Sequence, residues 1–144
     1  MLTANDIALV RASFGRIAPI KDTAADLFYA RLFEVAPQVR AMFPADLSEQ
    51  KQKLMAMIAT AVGSLNDLGK LIPKVKALGA RHAAYGATEA HYEVVGQVLL
   101  WTLERGLGDG FTPPVRAAWA KVYGVLAATM QAGAAEVAAL RAAE

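Results

Sequence analysis

The 144 residues include two histidines and no cysteine, so any metal-ligand chemistry falls to very few positions. His82 is near the end of a short predicted helix. Leu78 lies one turn before it and Val75 a turn earlier, on the same apolar face. A neutral imidazole there can bind a metal, or can pack as a core or surface histidine; taken alone, the second reading is the commoner one. Gln50 heads an apolar stripe that continues as Leu54, Ile58 and Ala61, so it is either a polar group over that stripe or a solvated first-turn residue. Tyr29 shares a broad face with Leu32 and Phe33, where a buried hydroxyl would need a partner.

The elements that position these residues are all predicted to be helices. Apolar residues recur at three- and four-residue spacing almost throughout, without strict alternation. Thr3-Ala4-Asn5-Asp6 fits a capping box opening a helix that runs to Pro19, and a second helix is expected over 22–35. Pro37 suits the first turn of a short helix ending near Phe43-Pro44. A long helix is expected from Ser48 to about Leu65, and a short one from about Pro73 to Ala84. Thr88 reads as the N-cap of the next, closed by Gly106, Gly108 and Gly110. Thr112-Pro113-Pro114 starts the last, whose alanine-rich end is expected to project or fray beyond Gly133. About seven unequal helices joined by tight corners predict crossed packing in a single all-α domain spanning 1–144.

Composition excludes several other classes. Charged residues are mixed, with a net charge of +2 and no basic stripe, which argues against nucleic acid. The longest uncharged run, Val122 to Ala135, is short of the ~20 residues a membrane span needs. The first residues lack a secretion signal, and with no cysteine the expectation is a cytoplasmic protein. No glycine-rich phosphate loop or zinc-type spacing is present.

Four segments together carry a resemblance. Phe28-Tyr29-Ala30-Arg31-Leu32-Phe33, with Pro37 and Phe43 after it, is the first. Leu78-Gly79-Ala80-Arg81-His82-Ala83-Ala84-Tyr85-Gly86 is the second, and His91-Tyr92-Glu93-Val94-Val95-Gly96 the third. Phe111-Thr112-Pro113, running on to Trp119 and Tyr123-Gly124, is the fourth. In this order and at these gaps the sequence resembles the globin family, in particular bacterial single-domain haemoglobins and the haem domains of flavohaemoglobins.

That resemblance implies a 3-over-3 globin fold around haem b, with His82 as the iron ligand. It also implies a stacking role for Phe43, a pocket lined by Leu54 and Val95, and Tyr29 and Gln50 beside the bound gas. Tyr92 matches a tyrosine that approaches the proximal histidine in flavohaemoglobins. Lys53 and Arg81 are candidate partners of the haem propionates, or solvated charges. Lys51 and Lys53 are the side chains that could reach the sixth iron position. Where flavohaemoglobins place a glutamate near the proximal histidine, this chain has Ala134, and Glu136 should face elsewhere.

The expectation is reversible binding of oxygen, carbon monoxide or nitric oxide, with tight oxygen binding and slow release, for storage, delivery or scavenging. The alternative is a nitric oxide dioxygenase served by a separate reductase, since the chain ends at Glu144 without room for a flavin domain. A sensory or interaction domain that has lost haem is the third reading, and the retained His82, Phe43, Tyr29 and Gln50 argue against it. A monomer or homodimer is expected.

Overall fold

A computed structural model describes residues 2–84 and 86–143; Tyr85 of the histidine segment lies outside the described residues. Six α-helices and three short 3₁₀ segments make up the described secondary structure: α1 (Ala4–Ile17), α2 (Lys21–Val35), α3 (Ser48–Gly63), α4 (Leu68–Ala84), α5 (Glu89–Leu107) and α6 (Pro113–Ala143). No described helix is long and apolar enough to cross a membrane.

Local sequence explains most of the boundaries. At the start of α1 the Asp6 amide donates to the Thr3 hydroxyl at 3.0 Å and the Thr3 amide donates to the Asp6 carboxylate at 2.9 Å, which satisfies two otherwise unpaired amides. The α1–α2 corner is a 3₁₀ turn containing Pro19. Pro37 opens a second 3₁₀ segment, Pro37–Met42, where a short α-helix was expected. It stops because Phe43, preceding Pro44, is extended at φ −120° and ψ 152°. α5 ends at Gly108, whose φ of +56° is a conformation that side-chain-bearing residues rarely take.

Two expectations need correction. α4 begins at Leu68 rather than Pro73, and Pro73 lies inside it. The proline deprives the Gly69 carbonyl of its helical donor, but both residues are exposed, so water can take that donor's place. α6 does not fray beyond Gly133 but runs 31 residues to Ala143. Alanine favours the helix, and Gly133 is buried against α4.

The main core joins the two ends of the chain. Val10 and Ile17 of α1 pack with Leu103 and Leu107 of α5 and with Ala118, Trp119 and Val122 of α6. Trp119 is 1% exposed, and its indole N–H donates to the Ser13 hydroxyl at 2.8 Å. α2 rests on α5 and α3, whereas α4 rests on α6. Consecutive helices α3 and α4 share little backbone contact.

A charge pair fastens the same ends. Asp6 accepts from the Lys121 ammonium at 3.1 Å. The Thr3 amide, and then Lys121, hold its carboxyl below the ordinary value near 3.8. A depressed carboxylate pKa stabilises the fold above the ordinary value, and that contribution is lost as pH falls through the group's own lower value. Urea midpoints of Asp6→Asn should therefore fall below those of the parent at neutral pH. The gap should close only when the pH drops well under 3.8.

Candidate functional site

Apolar side chains that keep exposed area mark the site. Phe33, Phe43, Leu47, Leu54, Val94 and Val95 are half-buried, packed on one side against buried Phe28, Tyr29, Leu32 and Val98. Completing the burial of six such groups is worth on the order of 5 kcal/mol. Leu78 and His82 on α4 are also half-buried, and α4 is seated on a different helix from the one that holds α3.

His82 is set by its own helix. Its Nδ1 lies 2.9 Å from the Leu78 carbonyl, a contact that is a hydrogen bond only if Nδ1 carries the proton. That tautomer leaves the Nε2 lone pair free to act as a ligand. The described residues bring no three His, Asp or Glu side chains together around a common point. A metal bound by His82 therefore needs its remaining ligands from elsewhere, as a planar macrocycle supplies them.

The aromatic wall is built around Tyr29, which is 4% exposed. Its ring meets Phe28 edge-on at 5.1 Å between centroids and Phe43 at 5.7 Å, and Phe33 meets Phe43 at 5.5 Å. The Tyr29 hydroxyl donates to the Gln50 main-chain carbonyl across a long 3.5 Å. This weak tether leaves the phenol able to serve a better acceptor. Burial raises its pKa, so the hydroxyl keeps its proton at neutral pH. Gln50 is half-buried at the head of the stripe through Leu54 and Ile58.

Tyr29, Gln50, Phe43, Leu54 and Val95 are thus brought together, through one cluster and the Tyr29–Gln50 contact. Tyr92 is fixed through its backbone: its carbonyl accepts from the Tyr123 hydroxyl at 2.6 Å, tying the start of α5 to α6. Burial raises the pKa of both phenols. Lys53 is exposed and pairs with Glu49 at 3.0 Å, Lys51 pairs with Asp26 at 2.9 Å, and Arg81 is exposed. Ala134 is half-buried, and Glu136 pairs with Lys76 at 2.7 Å.

Sequence reasoning missed Arg40. Its guanidinium donates to the carbonyls of Phe43, Pro44 and Ala45 at 3.3, 3.0 and 3.1 Å and lies 5.1 Å over the Phe33 ring. It fixes the corner that carries Phe43. An arginine beside a proline-bounded turn is the only signal, and it does not say which carbonyls the side chain meets.

The fit to a macrocycle rests on two features: one imidazole with its outer nitrogen free and an incompletely buried apolar wall. Two apolar cavities in the core are about 20 Å³ each, room for little more than a water molecule. A cofactor would therefore have to lie against the half-buried wall rather than inside either cavity.

A helical fold with a single axial-type histidine and an aromatic, phenol-bearing wall defines a class of cofactor-binding protein. The family model for globins matches residues 26–130, so the chain belongs to the globin family and its all-α architecture is the globin fold. It is 31% identical to a flavohemoprotein of Bacillus subtilis over 130 residues, covering 88% of this chain but 33% of that protein. It is 31% identical to neuroglobin-2 of Oncorhynchus mykiss and 30% identical to neuroglobin of Chaenocephalus aceratus, each over 92% of both chains. Membership of the family carries haem-based binding of diatomic gases as a general capacity.

Arg40→Lys keeps the charge but loses the planar fork. It should lower stability by about 1 kcal/mol in urea titrations and alter the near-ultraviolet dichroism of the Tyr29, Phe33 and Phe43 cluster. An unaltered aromatic signal would show that the corner is set without Arg40.

Proposed function

We propose that this chain holds haem b through His82 Nε2 and binds oxygen reversibly, with high affinity and slow release. The observation that carries the reading is the Nδ1 contact of His82 with the Leu78 carbonyl, which fixes the tautomer and orients the ring for an axial ligand. Held there, haem would supply a ferrous iron able to take a diatomic gas.

The chain's own residues then decide which ligand is favoured. Phe43 would stack on the macrocycle and Leu54 and Val95 would exclude water from it, limiting the proton access that promotes oxidation. Tyr29 stays a phenol and Gln50 offers an amide, so a ligand that gains negative charge on binding is met by two donors. A hydrogen bond to a charged acceptor is worth roughly 1.5–3 kcal/mol. That is about one to two decades in affinity per donor. Carbon monoxide gains less charge and benefits less. Lys53 and Lys51 pair with Glu49 and Asp26, so either would have to leave its partner to occupy the ligand position. Arg81 is an exposed cation next to His82 on the same helix, whereas Lys53 is paired with Glu49.

A second reading is favoured by the likeness to a flavohemoprotein: dioxygenation of nitric oxide to nitrate, which consumes one electron per nitrate and so needs a reductase. Against it stands the proximal side, where Ala134 offers no carboxylate and Glu136 is committed to Lys76. Oxygen binding is therefore the primary reading, with nitrate formation expected only when a reductase is supplied.

Visible spectra of the haem-loaded protein in ferric, dithionite-reduced and oxygenated forms test the reading. A haem spectrum that responds reversibly to oxygen and is lost or grossly changed in His82→Ala is the expected result; no haem uptake would sink it. Stopped-flow measurement on Tyr29→Phe should show oxygen dissociation faster by about one to two decades. An unchanged rate would remove Tyr29 from the site.

A further inference from the structure

We propose that Gly79 and Gly133 are positioning residues for His82: together they form a backbone-on-backbone seat that sets where the histidine's helix stands. The inference rests on the reading of His82 as the iron ligand.

Both glycines are buried inside helices, where glycine is about 1 kcal/mol worse than alanine. Neither has a positive φ, so the backbone does not call for glycine at either position. What each provides is close approach. A β-carbon added at Gly79 would overlap the Met130 carbonyl oxygen and stand 2.5 Å from the Met130 Cα. One added at Gly133 would overlap the Lys76 carbonyl oxygen and stand 2.6 Å from the Lys76 Cα. These obstacles are main chain and cannot swing aside as a side chain would. Unbonded carbon and oxygen atoms approach to about 3.3 Å, so one methyl group requires the helices to part by on the order of 1 Å.

The parting would be transmitted to the histidine. α4 makes its main helix contact with α6, and its core packing with α3 runs through Leu68, Leu71 and Val75, at least one turn before Gly79, so the segment that carries His82 depends on that seat. Gly79 is one turn before His82 and adjacent to Leu78, whose carbonyl holds the ring, so the imidazole moves with the helix. The Lys76–Glu136 pair lies at the same contact and draws the two helices together. Gly124, on α6 as well, has open space where a β-carbon would go and so serves as the control.

Resonance Raman spectra of the ferrous, ligand-free, haem-loaded protein report the iron–histidine stretching band directly. Gly79→Ala and Gly133→Ala should each shift and broaden that band and change the oxygen dissociation rate by on the order of tenfold. Gly124→Ala should leave both as in the parent. Far-ultraviolet dichroism shows whether each variant folds. Should Gly79→Ala fail to fold, Gly133→Ala, placed beyond the Trp119 core, carries the same test. A folded seat variant that melts earlier but keeps the parent band overturns the proposal, because the glycines would then serve stability alone. A parent protein with no iron–histidine band that His82→Ala removes overturns the haem reading and the seat's role with it. That result is separate from a parent band that the glycine variants fail to move.

Discussion

A flat, largely apolar cofactor can enter a small helical protein only if two helices that follow one another in sequence are kept from collapsing together. Here α3 and α4 meet through one small cluster, Met57 and Ala61 with Leu68, Leu71 and Val75, and each has its main seat elsewhere. The glycine contacts of α4 seat it on α6, while α3 rests on α2 and α1. The incompletely buried wall of Phe43, Leu54 and Val95 is the apolar surface left over from that division. Ordinarily such surface costs stability, and burying it under a flat apolar ligand would recover that cost.

Much of this architecture was legible in the residues wherever the cause is local. Thr3 with Asp6, Pro37, and Thr112 before Pro113 act within one turn of themselves, and the helices start where those residues say. The misreadings came from causes that are not local. Whether a proline can sit inside a helix depended on the exposure of the Gly69 carbonyl, which the sequence does not record. Whether α6 could pass Gly133 depended on a contact with Lys76, distant in the chain. Of the site, the types and spacing of Tyr29, Gln50 and His82 raised the question of a ligand, and the resemblance supplied the roles. The tautomer of His82 and the reach of Arg40 are matters of distance, visible only in three dimensions.

The family likenesses point in two directions, and the proximal side distinguishes them. The similarity to neuroglobins covers nearly the whole of both chains, whereas the flavohemoprotein is matched over a third of its length. With Ala134 beside the histidine's helix and Glu136 neutralised by Lys76, the chain's nearby acid serves helix docking. Among the described residues the His82 ring meets a neutral carbonyl, and an imidazole so held is a weaker electron donor than one hydrogen-bonded to a carboxylate.

α6, 31 residues and roughly 46 Å long, has a consequence for how the molecule is made. It completes the core with Val10 and Ile17, ties down the first turn of α5 through Tyr123, and carries the surface on which α4 rests. All of these partners precede it in the chain, so during synthesis they leave the ribosome before anything exists for them to close upon. Helices can form early, yet their apolar faces wait for α6 to follow them, a stretch in which such faces invite chaperones or neighbours. The surface that seats α4 is therefore made after every helix that depends on it, and a chain stalled before Pro113 would contain Tyr29, Gln50 and His82 without the helix on which α4 rests.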